Sequence, residues 1–383
     1  NGKWLYYLLA HHIAKITTGA RGSTIKYLRI GDISDCPVNL VSIKHQELIV
    51  AKIEELFSEL DKGIENLKTA QTQIKVYRQA LLKHAFEGKL TAQWRAENID
   101  KLETSESFIN IIQQERTQLY QKQFTEWEIS GKKSTKPKTP KTLTPLTVAE
   151  LSELPKLSNG WVWVKYGELI ESSQNGISKR RGTTGKEVVV LRLADIFDQK
   201  VTVENSRKIV LTEKELDNYR LNKSDLLCIR VNGSPDLVGR MVNIEEDTNI
   251  GYCDHFIRYR LLSNISHSKY LASYFNTVPI RRYIDLNKVS SAGQNTVNQE
   301  MISSITIALC CKAEQEVIVN LLEEKLSKVN NLNDTIISSL QHAEALRQSI
   351  LKKAFSGQLV SQDPNDEPAS VLLAQIKTLK VKI

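Results

Sequence analysis

One stretch of the chain occurs twice. "RQALLKHAFEGKL" covers residues 78–90, and "RQSILKKAFSGQL" covers residues 347–359. The two copies are 269 residues apart. The same offset of 269 residues aligns "QELIVAKIEELFS" from Gln46 with "QEVIVNLLEEKLS" from Gln315, and the register between these stretches needs no gap. This spacing is too long for a solenoid, whose repeats are 20–50 residues. The sequence therefore predicts a duplication of a whole module.

The match continues upstream in a weaker form. "KWLYYL" at Lys3 resembles "KYLASYF" at Lys269, and "ARGSTI" at Ala20 resembles "AGQNTV" at Ala292. Each copy is therefore predicted to contain the end of a globular domain followed by a long helix. Two equivalent modules related by a pseudo-two-fold axis have opposed directions, so we expect the two long helices to pack antiparallel.

The duplicated helix has a coiled-coil seam. Its inward positions recur at alternating steps of three and four over about five heptads in each copy. Polar residues interrupt both seams at equivalent places, which fixes the register at some cost in stability. Gly88 and Gly357 follow the seams, where helices commonly end in a left-handed residue. The first seam consists of Ile53, Phe57, Leu60, Ile64, Leu67, Gln71, Ile74, Arg78, Leu81 and Ala85.

The segments between the long helices differ in composition. A further helix is predicted over residues 105–128, and "GKKSTKPKTPKTLTP", rich in Lys and Pro, is typical of a linker. Residues 154–311 alternate short β-type runs with Gly, Asn and Asp, and "HSKYLASYFNTVPIRRYI" is predicted to be helical until Pro279. The fold class is therefore α+β, with a mixed α/β domain and two long helices.

Composition limits the classes of function. The chain of 383 residues has 52 Lys and Arg against 44 Asp and Glu, a net charge of +8, which favours a polyanionic partner such as nucleic acid. It has no run of eighteen apolar residues, so no membrane span is predicted. The five cysteines have no spacing typical of a disulfide framework, which favours a reduced cytoplasm.

Signatures of catalysis are absent from the sequence. There is no Pro-Pro of an adenine methyltransferase motif, no phosphate-binding loop and no nuclease spacing. The histidines show no metal-ligand spacing, and His255 beside Asp254 is interpreted as structural rather than as a base. We therefore predict no catalytic residue, no metal site and no cofactor for this chain.

Three polar, glycine-containing loops of the 154–311 domain have the chemistry of a DNA-binding surface. Arg pairs with guanine and Asn with adenine through two hydrogen bonds, whereas Lys and Arg also bind phosphates. One such loop alone is typical of solvated surface, but three in one basic domain favour DNA binding. The candidates are Lys179, Arg180, Arg181 and Lys186 in the first loop, Arg230, Asn232, Ser234 and Arg240 in the second, and Gln294 and Asn295 in the third.

The duplicated helix endings, together with "LP…GW" at Leu154, Pro155, Gly160 and Trp161, resemble the specificity subunit of type I restriction-modification enzymes. The resemblance implies two target-recognition domains that each read half of a split DNA site. It also implies two helical regions that set the distance between them. The implied partners are double-stranded DNA, two modification subunits that perform adenine-N6 DNA methylation with S-adenosylmethionine, and, through the complex, ATP-driven restriction subunits.

The domain order implied by the resemblance differs from the family's pattern at the N-terminal end of this sequence. Since only residues 1–44 precede the first long helix, we expect most of the first recognition domain to be absent. The predicted regions are 1–44 (remnant of the first recognition domain), 45–130 (first helical spacer), 131–153 (linker), 154–311 (second recognition domain) and 312–383 (second helical spacer). The alternative hypothesis is a coiled-coil scaffold whose basic charge is incidental.

Overall fold

The computed structural model describes residues 1–18, 30–132, 135–140, 146–197 and 200–380. These residues form two compact units. The first unit consists of Asn1–Val76 with Lys328–Ile383, and the second consists of Tyr77–Ser327. The predicted repeat element at Ala20 lies outside the described residues.

The helices and strands alternate most densely in the second unit. The helices are α1 (Gly2–His11), α2 (Ile13–Thr18), α3 (Ile30–Ser34), α4 (Ile43–Phe86), α5 (Ala92–Glu97), α6 (Ser105–Ile129), α7 (Val148–Ser152), α8 (Glu213–Tyr219), α9 (Ser268–Tyr274), α10 (Val278–Asn287), α11 (Gln299–Ser303), α12 (Lys312–Phe355) and α13 (Ala369–Lys380). The strands are β1 (Val162–Lys165), β2 (Ile170–Asn175), β3 (Lys186–Leu191), β4 (Ile196–Phe197), β5 (Lys200–Val201), β6 (Lys208–Leu211), β7 (Leu226–Ile229), β8 (Val231–Asn232), β9 (Met241–Asn243), β10 (Gly251–Tyr252), β11 (Phe256–Leu261), β12 (Val289–Ser291), β13 (Gln294–Thr296) and β14 (Thr306–Leu309).

The two long helices, α4 and α12, have 44 residues each. Both end two residues before a glycine, and Gly88 and Gly357 have φ angles of 71° and 77°. This left-handed conformation is accessible to glycine at little cost. The predicted helix ends are therefore confirmed.

The long helices pack antiparallel in the first unit. Near the start of α4, Ile53 is buried in one apolar cluster with Ile350, which lies near the end of α12. Further along α4, Ile74 is buried with Val329, which lies nearer the start of α12. Later residues of α4 therefore contact earlier residues of α12. The prediction that the two helices pack antiparallel is confirmed.

Equivalent hydrogen bonds recur at the starts of α4 and α12. The side-chain nitrogen Nε2 of Gln46 donates to the carbonyl of Val41 at 2.9 Å, and that of Gln315 donates to the carbonyl of Cys310 at 2.7 Å. The side-chain oxygen of Gln46 accepts from the nitrogen of Asn1, the N-cap residue of α1, at 3.3 Å. The side-chain oxygen of Gln315 accepts from the nitrogen of His267, the N-cap residue of α9, at 2.8 Å. The duplication seen in the sequence is therefore present in the hydrogen bonding.

A second pair of equivalent contacts joins each of these shorter helices to a long helix. Lys3 of α1 binds Glu54 at 2.7 Å, and Lys269 of α9 binds Glu323 at 2.7 Å. The weak upstream match between the two copies thus corresponds to the same local arrangement in each unit.

The second unit is built around an antiparallel four-stranded sheet and a mixed three-stranded sheet. Its four-stranded sheet has the order β2-β11-β7-β9, and a three-stranded sheet has the order β10-β3-β6. Strand β1 pairs antiparallel with β14, with Val162 opposite Leu309. The largest buried side chains include Tyr166, Tyr259 and Phe275, whose rings make edge-to-face contacts. The first and last strands of this fold are therefore neighbours.

Two predictions about helices had different outcomes. The helix predicted over 105–128 is confirmed as α6, which buries Phe108 and Ile112. The prediction of a helix up to Pro279 is wrong, because α9 ends at Tyr274 and Pro279 lies in the first turn of α10. Proline is compatible with a first helical turn, where its missing N–H group has no intrahelical acceptor.

The predicted linker is described in part. Residues 133–134 and 141–145 of it lie outside the described residues. Its last part contains α7, which begins with a capping box between Thr147 and Glu150. This end of the predicted linker is therefore a short helix rather than an irregular connection.

Candidate nucleic-acid interface

The second and third loops, residues 230–240 and 290–296, form one surface. Strand β8 of the second loop pairs antiparallel with β13 of the third, with Asn232 opposite Asn295. The three strands have the order β12-β13-β8. Two candidate loops that are distant in sequence are thus joined by backbone hydrogen bonds.

The third loop is a tight hairpin. Ala292 and Gly293, between β12 and β13, have φ angles of 48° and 75°. Positive φ at both central residues is the geometry of a two-residue type I′ turn, whose twist matches that of the strands. Gln294 follows this turn and is exposed. Its side chain is therefore presented at the tip of the hairpin.

Asn295 holds the two loops together. Its side-chain nitrogen donates to the carbonyl oxygens of Gly233, at 3.0 Å, and Asn232, at 3.3 Å. Its side-chain oxygen accepts from the hydroxyl of Ser290 at 2.7 Å. The residue is only 9% exposed. Since both donors of the amide are used within the protein, this conformation speaks against a base contact by Asn295 and gives it a role in joining the loops.

Asn232 is more open than its strand partner. It is half-buried, and its side-chain oxygen accepts from the backbone nitrogen of Ser234 at 2.8 Å. This is the local bond of an Asx-turn, and it fixes the direction of the side chain. The oxygen is thus oriented by the loop, while the side-chain nitrogen carries the donor capacity for a ligand.

Two arginines shape the second loop from inside. Arg240 donates through Nε to the carbonyl of Asp236 at 2.6 Å and through Nη1 to the side chain of Asn276 at 3.2 Å. Arg281 of α10 donates through Nη2 to the carbonyl of Val238 at 2.8 Å and to two further carbonyls of the loop. Burial lowers the pKa of Arg281 to about 10. Both side chains therefore support the loop, and Arg281 was missed because its helix gave no sign of facing the loop.

The first loop, residues 175–186, lies against β6 and α8. A Cβ atom at Gly182 or Gly185 would lie 1.9 Å from the carbonyl oxygen of Val210 or Leu211. These two glycines therefore allow close backbone approach to β6. The glycines of this candidate DNA-binding loop thus have a packing reason.

The lysines of the first loop form ion pairs with α8. Lys179 binds Glu215 at 2.5 Å, and Lys186 binds Glu213 at 3.2 Å, where both side chains are exposed. The hydrogen bonds from Lys179 and from Thr212 lower the pKa of Glu215 to about 2. An exposed pair such as Lys186–Glu213 exchanges partners at small cost, so Lys186 remains available to phosphate.

Asp254 connects the first loop to the second. Its carboxylate accepts from Arg180 at 3.0 and 3.4 Å, and its carbonyl oxygen accepts from Nη1 of Arg230 at 3.1 Å. Burial by itself raises the pKa of Asp254, but the ion pair with Arg180 outweighs this and lowers it. Arg181, next to Arg180, is exposed. The three candidate loops are thus linked through Asp254 and Asn295.

Comparisons with known proteins bear directly on this domain. No protein-family model matches the chain. The type I restriction enzyme StySPI specificity subunit of Salmonella potsdam is 31% identical over 372 residues, which cover 95% of this chain and 68% of that protein. The chain belongs to the type I restriction enzyme specificity subunits. The EcoDI specificity subunit of Escherichia coli is 26% identical over 383 residues, covering 98% of this chain and 76% of that protein.

A solved structure supports the fold of this specificity subunit. A chain from a study of complex assembly and conformational transition of the type I R-M system matches it with a TM-score of 0.60 and 17% identity, over 93% of this chain and 71% of that one. The prediction of a non-catalytic DNA specificity subunit with an α+β fold is confirmed by the family. The scaffold hypothesis gains no support.

Other features of the specificity subunit bear on metals and membranes. The ligand atoms of Cys253, Asp254 and His255 lie within 4.8 Å of one another. Because Arg180 already occupies the Asp254 carboxylate, we assign no metal to this group.

In the part of the chain that the structure describes, none of the helices combines the length and apolar character of a membrane span.

Proposed function

We propose that residues 154–311 read one half of a bipartite DNA site through the surface formed by the three loops. The observation that carries this proposal is their linkage: Asp254 bonds to the first and second loops, and Asn295 bonds the third to the second. Loops fixed to one another can meet consecutive groups on a duplex without a large ordering cost on binding.

The candidate residues have different roles in this proposal. Lys179, Arg180, Arg181 and Lys186 contact phosphates, while Arg230, Asn232, Ser234 and Gln294 face base edges. Arg240 and Asn295, whose side chains are bound within the protein, hold the loops in place. Phosphate contacts fix position and affinity, whereas base contacts carry the sequence information.

The rest of the chain sets spacing and assembly in this proposal. Residues 1–44 are the end of a first recognition domain, 45–130 and 312–383 are the two helical spacers, and 131–153 connect the modules. The antiparallel packing of α4 and α12 makes the spacer a rigid element of fixed length.

The repeated contacts at the starts of α4 and α12 support a proposal about partners. Equivalent surfaces are expected to bind equivalent proteins, so we propose one modification subunit at each copy. Restriction subunits join through that complex. The assembly acts in the cytoplasm, where the duplex and S-adenosylmethionine used by the modification subunits are present.

The reading surface is tested with Asn232→Ala in the complex reconstituted with its modification subunits. The target is first identified by sequencing methylated sites in a strain that carries the intact system. We expect a loss of about 1–3 kcal/mol on the cognate duplex and little change on a scrambled duplex. Equal losses on both duplexes would show that Asn232 does not read bases.

Arg181→Ala is the contrasting variant for the same assay. Because Arg181 is assigned to phosphate, its loss should weaken binding to cognate and scrambled duplexes alike. The slope of log affinity against log salt should also become shallower by about one unit. An unchanged slope across the salt series would remove Arg181 from the phosphate-binding set.

A further inference from the structure

Asp254 has an unusual position for an acid on a surface assigned to DNA. It lies in the turn between β10 and β11, and its side chain is 27% exposed. A carboxylate near a phosphate backbone opposes binding by charge repulsion. Its presence among the candidate loops therefore calls for a compensating role.

The contacts of Asp254 supply such a role. The two carboxylate oxygens receive the two terminal nitrogens of Arg180, which is the planar fork arrangement of arginine with a carboxylate. The carbonyl of the same residue receives Nη1 of Arg230 from the second loop. One residue therefore orients two guanidinium groups that belong to different loops.

Charge and donor capacity remain after these contacts are made. Two arginines and one aspartate leave one net positive charge, which complements a single phosphate. An arginine has five N–H donors, so both guanidinium groups retain donors for a ligand. The Arg180 side chain is 54% exposed, and its free donors are accessible.

We propose that Asp254 is a positioning residue for DNA recognition, which holds Arg180 on a phosphate and Arg230 on a base edge in a fixed relative register. This inference rests on the proposed function. Its mechanism is preorganisation: the two arginines are oriented before DNA arrives, so less side-chain freedom is lost in the cognate complex. Scrambled DNA offers the phosphate but not the matching base edge.

Asp254→Asn separates positioning from charge. If Asp254 acted through its charge alone, the variant would strengthen binding to every duplex. The variant keeps the main-chain carbonyl that accepts from Arg230 and changes only the carboxylate that holds Arg180. If that carboxylate positions Arg180 relative to Arg230, the dissociation constant for the cognate duplex rises about tenfold, while that for the scrambled duplex stays the same or falls. The readout is the ratio of the dissociation constant for the scrambled duplex to that for the cognate duplex, measured in the reconstituted complex. A ratio that stays at the wild-type value overturns the proposal.

Asp217→Asn is the matched control. Asp217 also pairs with an arginine, Arg220, in the same unit, at 3.1 Å. The control removes the same charge from an aspartate–arginine pair outside the three loops. It should leave the ratio of dissociation constants unchanged.

Arg180→Lys provides a second variant in case the first does not fold. Lysine keeps the charge but cannot form the two-nitrogen fork. The ratio of the scrambled to the cognate dissociation constant should again lie about tenfold below the wild-type value, with binding to scrambled DNA retained. Combining Asp254→Asn with Arg180→Ala should give no further loss of the ratio beyond Arg180→Ala. An additional loss of the same size would show that Asp254 acts independently of Arg180 and would overturn the proposal.

Failure of this inference is distinguishable from failure of the proposed function. If the wild-type complex does not discriminate cognate from scrambled duplex, the reading function itself is wrong. If the wild type discriminates and Asp254→Asn discriminates equally well, the reading function stands and the positioning role is wrong.

Discussion

The two compact units share a buried glutamine at the start of a long helix but differ in the residue before it, which is Glu314 in the second unit and His45 in the first. In the second unit the Glu314 carboxylate accepts from the hydroxyl of Thr91 at 2.6 Å, from Arg95 at 2.5 Å and from the indole of Trp161 at 3.1 Å. A fully buried carboxylate is tolerated there because three donors surround it.

His45 has no comparable set of partners. It is buried, and its ring nitrogen Nδ1 has no hydrogen-bond partner among the residues that the structure describes. Imidazole can be buried in the neutral form, whereas an isolated carboxylate cannot be buried at similar cost. The duplication thus retains the hydrogen-bonded geometry of the helix start, while the polarity of the neighbouring position follows its local partners.

The largest expected difference between the units comes from replacing these two residues by glutamine. Glu314→Gln leaves Arg95 nearly buried without its carboxylate, so we expect the free energy of unfolding to fall by about 3 kcal/mol. His45→Gln removes no ion pair and should cost about 1 kcal/mol. Urea unfolding measures both variants. Equal losses would show that the ion pair adds nothing to the second unit.

The equivalent glycines after α4 and α12 sharpen the comparison. A Cβ atom at Gly88 would lie 2.7 Å from the Ser158 hydroxyl and 2.8 Å from Nη1 of Arg95, whereas one at Gly357 would meet nothing within 4 Å. Gly357→Ala therefore adds only the strain of a left-handed alanine, about 1 kcal/mol. Gly88→Ala should cost about 2 kcal/mol, because crowding is added. Thermal unfolding that ranks them in reverse would contradict the packing described around Gly88.

A difference of about the same size as at the glycines is expected at the glutamines themselves. Nε2 of Gln315 donates to the carbonyls of Ile265, at 2.9 Å, and Cys310, at 2.7 Å, whereas Nε2 of Gln46 donates to Val41. Gln315→Met should therefore lower the free energy of unfolding by about 2 kcal/mol and Gln46→Met by about 1 kcal/mol. Urea unfolding measures the two losses of stability. Hydrogen exchange of the segments that contain the acceptors Val41, Ile265 and Cys310 checks whether each loss is local to its own unit.

Sequence reasoning succeeded where the structure depends on local pattern. The buried seam residues Ile53 and Ile74, the left-handed Gly88 and Gly357, and helix α6 follow from periodicity and from the conformational freedom of glycine. The prediction of a helix up to Pro279 was wrong because the same residue is compatible with two different local structures. Proline disfavours a helix interior but fits a first turn, and the sequence alone did not show that a second helix begins there.

The candidate site was predictable by residue type but not by arrangement. The three loops were recognised from their polar and basic residues, yet the pairing of Asn232 with Asn295 is a contact between distant segments. Gly182 and Gly185 were interpreted through ligand chemistry, but their surroundings give them a packing role. Asp254 was considered only as a neighbour of His255, because its contacts with two arginines require the folded chain.

The pairing of β1 with β14 has a consequence for how such chains diversify. With Val162 opposite Leu309, the polypeptide enters and leaves this fold at the same place. A segment with adjacent ends can be exchanged for another of similar anchoring strands without moving the helices that carry it. If residues 154–311 read DNA as proposed, such a graft would transfer a new DNA preference in one segment and leave the recipient's long helices unchanged.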